Sequence, residues 1–191
     1  MRVSREQAAL NRDRVIDTGA RLFREKGLDG IGIADLMKAS GLTHGGFYGQ
    51  FESKDALAAE CVTRVLGKSV ERWRRLLEEG LLEEPGGDPL RTLVEDYLSV
   101  RHLNGPETGC AFTTLAADAA RRGGAVAQAM SDGMEALADI LRSILPDGER
   151  GRALAILSQM AGAMTLARAT ADPVLAEEML AAARGAILAG R

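Results

Sequence analysis

The chain has little of what metal centres, secreted scaffolds and membrane spans are built from. Cysteine occurs only at Cys61 and Cys110 and histidine only at His44 and His102. That gives neither a disulfide framework nor a metal-ligand cluster of convincing spacing. Aromatic residues are few, and Val and Ile occur singly inside helical spacing, so the alternating runs that mark strands are missing. No apolar run approaches the roughly 18 residues of a membrane helix, and the N-terminus lacks the apolar core of a signal peptide. These absences predict a cytoplasmic protein with no membrane contact, no metal and no cofactor. Positive charge is not in excess either. The net charge of −3 argues at first against a nucleic-acid partner.

What is present is alanine and leucine at helical spacing over 191 residues, enough chain to bury a sizeable core, and the prediction is an all-α fold. The charge is unevenly spread. Residues 1–54 hold nine Lys or Arg against seven Asp or Glu, and the remainder holds fifteen against twenty. The mildly basic end also carries the clearest motif.

That motif is SGLTHGGFYGQFESKDAL, Ser40 to Leu57. Apolar Ile33, Leu36 and Met37, a turn at Gly41, then Leu42, Phe47 and Phe51 fit two short helices packed across a tight turn, a helix-turn-helix pattern. The second of these is predicted to start at Thr43 as N-cap and to turn Phe47 and Phe51 inward. His44, Gly45, Tyr48 and Gly49 are left on its outer face, where they could enter a major groove. Ser53 caps the next helix, whose free amides and Lys54 ammonium suit a phosphate. A helix over 11–26, with Val15, Ile16, Ala20 and Phe23 on one face and Gly27 as its stop, braces the pair. Residues 1–10 read as a basic arm or frayed turn.

The gapless run of Gly41, Gly45, Tyr48, Phe51, Lys54 and Leu57 resembles the tetracycline-repressor (TetR/AcrR) family of bacterial regulators, over residues 10 to 60. The resemblance implies a three-helix helix-turn-helix DNA-binding domain (1–53) followed by a larger helical ligand-binding and dimerisation domain (54–191). It implies a transcriptional regulator, not an enzyme: a homodimeric repressor on a pseudo-palindromic double-stranded operator, released by a small-molecule inducer. Thr43, His44, Gly45 and Gly46 are then expected at the groove, with Tyr48 and Lys54 on phosphates. The chain departs from the family at Ile31 and Gly32, where a capping hydroxyl is usual, and at Gly49 and Gln50. Gly45 and Gly46 each weaken a helix by about 1 kcal/mol against alanine, and close approach of the backbone to DNA is the reason expected for them.

Downstream, one helix is predicted from Ser53 towards Leu77, a loop at Gly80–Pro89, and a helix capped by Asp88 that carries Leu93, Val94, Tyr97 and Leu98 as far as Gly105. Another runs from Thr108 or Gly109 to Arg122, then Ala125–Leu145, then a hairpin over 147–170 and 172–188. The hairpin is the expected dimer seam, through Leu157, Met160, Ala161, Met164, Leu175, Met179, Ala183 and Ile187. Trp73, Tyr97, Phe112, Met130, Met134 and Met164 are the expected pocket wall. Two alternatives stand beside a ligand-released repressor. One is a constitutive regulator with no ligand. The other is a redox- or electrophile-sensing repressor acting through Cys110, whose thiolate would be favoured at a helix start. An enzyme with Cys110 as nucleophile and His102 as base lacks an orienting third group.

Overall fold

The computed structural model describes residues 4–83 and 86–190. Among them the chain forms nine α-helices and no strand: α1 (Arg5–Lys26), α2 (Ile33–Ala39), α3 (Lys54–Glu83), α4 (Pro89–Tyr97), α5 (Val100–Asn104), α6 (Phe112–Arg122), α7 (Gly124–Ile144), α8 (Arg150–Ala169) and α9 (Pro173–Ala189). A single 3-10 turn, His44–Gly46, lies between α2 and α3. The fold is a small N-terminal helix-turn-helix unit on a larger helical body, with one continuous core running through both.

Several starts and stops follow from the local sequence. The Ser4 hydroxyl accepts from the Gln7 amide at 3.1 Å, so α1 begins at Arg5. Residues 5–10 are therefore helix and not an arm, while Met1 to Val3 lie outside the described residues. α2 ends in a left-handed Gly41 (φ 71°), with the Leu42 amide on the Met37 carbonyl (2.9 Å) and the Gly41 amide on that of Lys38 (3.0 Å). This is the paired C-terminal arrangement that glycine permits at this position, and it sets the tight turn. The Ser53 hydroxyl accepts from the Ala56 amide at 3.0 Å and starts α3. The Asp88 carboxylate accepts from Arg91, with Pro89 at the first helical position of α4.

Four further boundaries differ from those predicted. The helix expected over 43–51 is only the 3-10 turn and the turns after it, because three glycines in five residues (Gly45, Gly46 and Gly49) forfeit helix propensity that nothing local restores. Thr43 has the extended backbone of an N-cap but makes no side-chain cap bond. α3 continues through Gly80 to Glu83, and Gly80 faces Thr92 of α4, which a Cβ there would meet at 3.7 Å. Glu84 and Pro85 of the predicted loop lie outside the described residues. The single helix expected from Pro89 to Gly105 is split, because Ser99 recaps the chain through the His102 amide (3.2 Å). The exposed end of α4 is closed by His102 on the Tyr97 carbonyl (2.7 Å) and by Arg184 on that of Leu98.

The fourth difference is at α6, which starts at Phe112 instead of Thr108 or Gly109. Residues 105–109 form consecutive turns, with Thr108 on the Gly105 carbonyl and Gly109 on that of Pro106. The next amide, that of Cys110, goes to His102 Nε2 at 3.2 Å.

α3 is the spine. It packs on α1 near its start, on α7 along its length and on α4 further along. Arg64 reaches Asp13 and Asp17 of α1, and Arg72 grips Asp96 of α4 with two bonds. α6 ties the body to the head from the other side. Buried Asp118 accepts from the Leu28 amide at 2.9 Å, and Arg122 bridges Asp29 and Asp55.

Candidate functional site

The outer end of the head is built around two buried rings. Phe47 and Phe51 stack at 5.5 Å inside the core, which forces their neighbours outward. His44 is exposed, Tyr48 is 65% exposed, and the two rings meet edge to face at 6.1 Å. Thr43 and Gly45 are exposed and Gly46 is half-buried, with the Met37 methyl 3.7 Å from where a Cβ would stand. At Gly45 a Cβ would meet nothing within 4 Å, so the fold itself does not require that glycine. The six residues expected at DNA, Thr43, His44, Gly45, Gly46, Tyr48 and Lys54, thus lie within one turn and the helix start that follows it.

Charge around this surface is more informative than the sequence total. Arg12, Arg21, Arg64, Lys68 and Arg122 are all spent on carboxylates. Lys54 makes no ion pair among the described residues; its ammonium lies 6.0 Å from the centre of the Phe23 ring. Arg14 and Lys38 are exposed and unpaired in the same sense, and the Arg14 guanidinium is 4.0 Å from where a Cβ would stand at Gly41. Both were missed in the sequence, where a lone surface cation looks like any solvated one.

The second feature is a recess of about 260 Å³ in the body, lined by Ser69, Arg72, Trp73, Asp96, Tyr97, Arg101, His102, Thr108, Gly109, Cys110 and Leu137. Trp73 and Tyr97 are where the pocket was expected, with rings 6.2 Å apart edge to face. The other four are not there. Phe112, Met130 and Met164 are buried in the core, and Met134 is 38% exposed on the surface. A flexible apolar side chain at helical spacing fills core before it lines a cavity. The polar half of the wall had no sequence signal, because it is assembled from α3, α4, α5 and the 105–110 turns.

The chemistry of that wall is settled by its hydrogen bonds. The Tyr97 carbonyl can only accept from His102 Nδ1 and the Cys110 amide can only donate to Nε2, so His102 is the neutral tautomer protonated on Nδ1. Burial lowers its pKa in the same direction. With its Nε2 lone pair committed to a backbone amide, His102 is no base for the Cys110 thiol. Cys110 is 5% exposed, and burial raises the pKa of its thiol against the pull of the Phe112 amide, so the expectation of a thiolate at a helix start is corrected. Cys61 is buried too, its pKa pushed up to about 12. The Tyr97 hydroxyl lies beside the Cys110 thiol with no hydrogen bond of ordinary geometry.

The third feature is the outer face of the α8–α9 hairpin. Of the eight expected seam residues, Leu157, Met160, Met164, Ala183 and Ile187 are buried inside their own chain and present nothing to a partner. Ala161 and Met179 are half-buried and Leu175 is exposed. The opposite face of α8 is open: after Gly151 its exposed residues are Ala155, Ser158, Gln159, Gly162, Thr165, Leu166 and Ala169, none of them charged. Leu175, Ala182, Ala186 and Ala189 are exposed along α9, with the exposed carboxylate of Glu178 between the first two. No helix among the described residues is long and apolar enough to cross a membrane.

A helix-turn-helix unit with unpaired cations beside its turn, joined to a larger helical body with a recess, is the architecture of DNA-binding transcriptional regulators. The family described as "Bacterial regulatory proteins, tetR family" matches residues 15–61. The HTH-type transcriptional repressor NemR of Escherichia coli strain K12 is 25% identical over 143 residues, which is 75% of this chain and 71% of that protein. The HTH-type transcriptional repressor KstR2 of Rhodococcus jostii is 30% identical over 91 residues, 48% of this chain and 45% of that protein. Among solved structures, the reduced form of E. coli NemR superposes with a TM-score of 0.78 at 22% identity, covering 93% of this chain and 94% of that one. A TetR-family regulator from Cytophaga hutchinsonii gives 0.77 at 20% identity, covering 99% and 98%. Residues 15–61 thus match the TetR family of bacterial regulatory proteins, and the whole chain shares its fold with solved regulators of that family. Members of this family bind DNA operators, usually dimerise and are not enzymes.

Proposed function

We propose that the protein is a cytoplasmic homodimeric repressor whose residues 1–53 read a pseudo-palindromic operator and whose residues 54–191 dimerise and take up a small-molecule inducer. Thr43, His44, Gly45 and Gly46 face the groove, and Tyr48 and Lys54, joined by Arg14 and Lys38, hold phosphates. Two such heads read half-sites about one helical turn apart, or a multiple of it, and a ligand that favours the wrongly spaced conformer shifts the population off DNA. The observation that carries this reading is a single contact. The Gly109 carbonyl, in the wall of the recess, accepts from Arg24 of α1 at 2.6 Å, so what enters the recess acts on the helix that braces the reader. Selection of bound fragments from random DNA gives the operator, and loss of that complex on adding candidate ligands tests the release.

Lys54→Ala is expected to weaken binding to all sequences alike and to reduce the slope of log K against log salt by about one unit, the signature of one lost phosphate contact. His44→Ala is expected to change preference among sequences instead. Fluorescence anisotropy titrations at several salt concentrations measure both, and an identical uniform loss in the two variants would refute the division of roles.

Cys110 lines the recess, and that placement supports a second reading in which an electrophile held there alkylates it slowly, since burial keeps the thiol protonated. N-ethylmaleimide is then expected to release the wild type from its operator and to leave Cys110→Ser bound, with Cys61→Ser behaving as wild type. Equal release of Cys110→Ser, or a Cys110 that resists labelling in the folded dimer, leaves the inducer non-covalent.

A further inference from the structure

The recess does not end at Gly109. A second hollow of about 490 Å³ shares Ser69, Arg72, Thr108 and Gly109 with it and opens between α1 and α3. Trp73, Tyr97 and Leu137, all nearly buried, form the apolar backing of the first, and the second offers cations. Most of those cations are occupied. Arg64 and Lys68 share Asp17, Arg72 is held by Asp96, and Arg75 stands 3.8 Å from Glu79. Glu71, the remaining acid of this wall, is exposed.

Arg24 is different. Its guanidinium donates from Nε to the Ala20 carbonyl (2.8 Å) and from Nη1 to the Gly109 carbonyl (2.6 Å), and among the described residues it pairs with no carboxylate and uses Nη2 for no hydrogen bond. Glu107 is near enough to be felt but makes no ion pair with it. Across the 105–110 turns, Arg168 is likewise held only by neutral oxygens, those of Leu103, His102 and Thr113. Burial lowers the pKa of both guanidiniums. A half-buried guanidinium with a spare donor and no counter-charge is an unfilled demand for an anion. The Tyr97 hydroxyl, buried in the wall of the first recess, makes no hydrogen bond of ordinary geometry and has only the Cys110 thiol beside it.

On the reading that a small molecule releases this repressor, we infer that the molecule is a small amphiphilic carboxylate, its flat apolar body against Trp73, Tyr97 and Leu137 and its anionic end on Arg24. A carboxylate meets a guanidinium through two parallel bonds, and here one falls on the spare Nη2 while the other competes with the Gly109 carbonyl for Nη1. Filling the site therefore loosens the 105–110 turns from α1, the helix that carries Arg24. The step needed for release is then the exchange of one acceptor for another on one side chain.

Trp73 is the only tryptophan in the chain, so its emission reports on the recess directly. The probes are phenylacetate and 3-phenylpropanoate, each compared with its uncharged amide at millimolar concentration. The acids are expected to shift Trp73 emission saturably and the amides to bind roughly tenfold weaker or worse, the loss of a charge-assisted pair. Arg24→Gln, with helical circular dichroism unchanged, is expected to bring the acids down to the level of the amides. Amides that bind as well as acids, acids that give no saturable response, or undiminished acid binding by folded Arg24→Gln would each overturn the inference. Should Arg24→Gln fail to fold, the acid-against-amide comparison on the wild type decides alone. Operator release is scored separately. Acids that bind without releasing DNA leave the anion site standing and refute the ligand-released reading, and release by amides but not acids does the reverse.

Discussion

Gly133→Ala is expected to destabilise the protein by about 1–3 kcal/mol, whereas Gly67→Ala, on the facing helix, is expected to stabilise it by about 0.5–1 kcal/mol. Both glycines sit inside helices, so propensity alone predicts the same small gain for each. Packing separates them. A Cβ at Gly133 would stand 2.2 Å from Leu66 Cδ1 and 2.8 Å from Leu66 Cβ, and Leu66 is itself buried. The δ-methyl can rotate away, but Cβ is fixed to the backbone, so relief requires α3 and α7 to move apart along a principal interface of the fold. At Gly67 the added Cβ meets nothing within 4 Å. For a chain of this size about 1 kcal/mol corresponds to roughly 2–4 °C in Tm, so thermal unfolding at matched protein concentration resolves the two signs. A neutral Gly133→Ala would mean that α3 and α7 are not seated this closely.

What the sequence revealed and what it withheld follow from how far each signal reaches along the chain. Caps act over three or four residues, and those at Ser53 and Asp88 stand where the sequence puts them, as do the inward Phe47 and Phe51 and the outward His44 and Tyr48. The head is legible because its function sits in one unbroken stretch. The recess is not, because its wall joins Ser69 to Leu137 through four helices and a set of turns, and its polar members look in sequence like solvated surface. The split between α4 and α5 depends on His102 and Arg184 closing carbonyls that the local sequence leaves open, a contact made across 86 residues in the second case.

The hairpin shows a different failure. α8 and α9 carry alanine, glycine and leucine on every side, so periodicity selects no face, and choosing the larger apolar residues selected those that pack inward. Leu157, Met160 and Met164 are large because they fill their own chain's core. The outward face is recognisable only by what it omits, since the exposed positions of α8 beyond Gly151 carry no charge at all.

That omission leads to the prediction with the largest effect on function. Ala182→Glu and Leu166→Glu are expected to convert the dimer to folded monomers and to reduce operator affinity by at least about a hundredfold. Ala182 is exposed and Leu166 is 60% exposed in the single chain, so either carboxylate is fully hydrated in a monomer and costs its fold almost nothing. In a two-fold seam the same carboxylate is buried without a partner once on each chain, at several kcal/mol each time, more than the tightening that a second half-site adds can offset. Ala183→Glu is the discriminating control. Ala183 is only 8% exposed and lies against its own core, so a charge there is expected to unfold the chain and not merely to separate two copies. Sedimentation velocity gives the oligomeric state and circular dichroism the fold. Intact dimers for both Ala182→Glu and Leu166→Glu would move the seam off this face, and a folded, dimeric Ala183→Glu would contradict the packing of α9 itself.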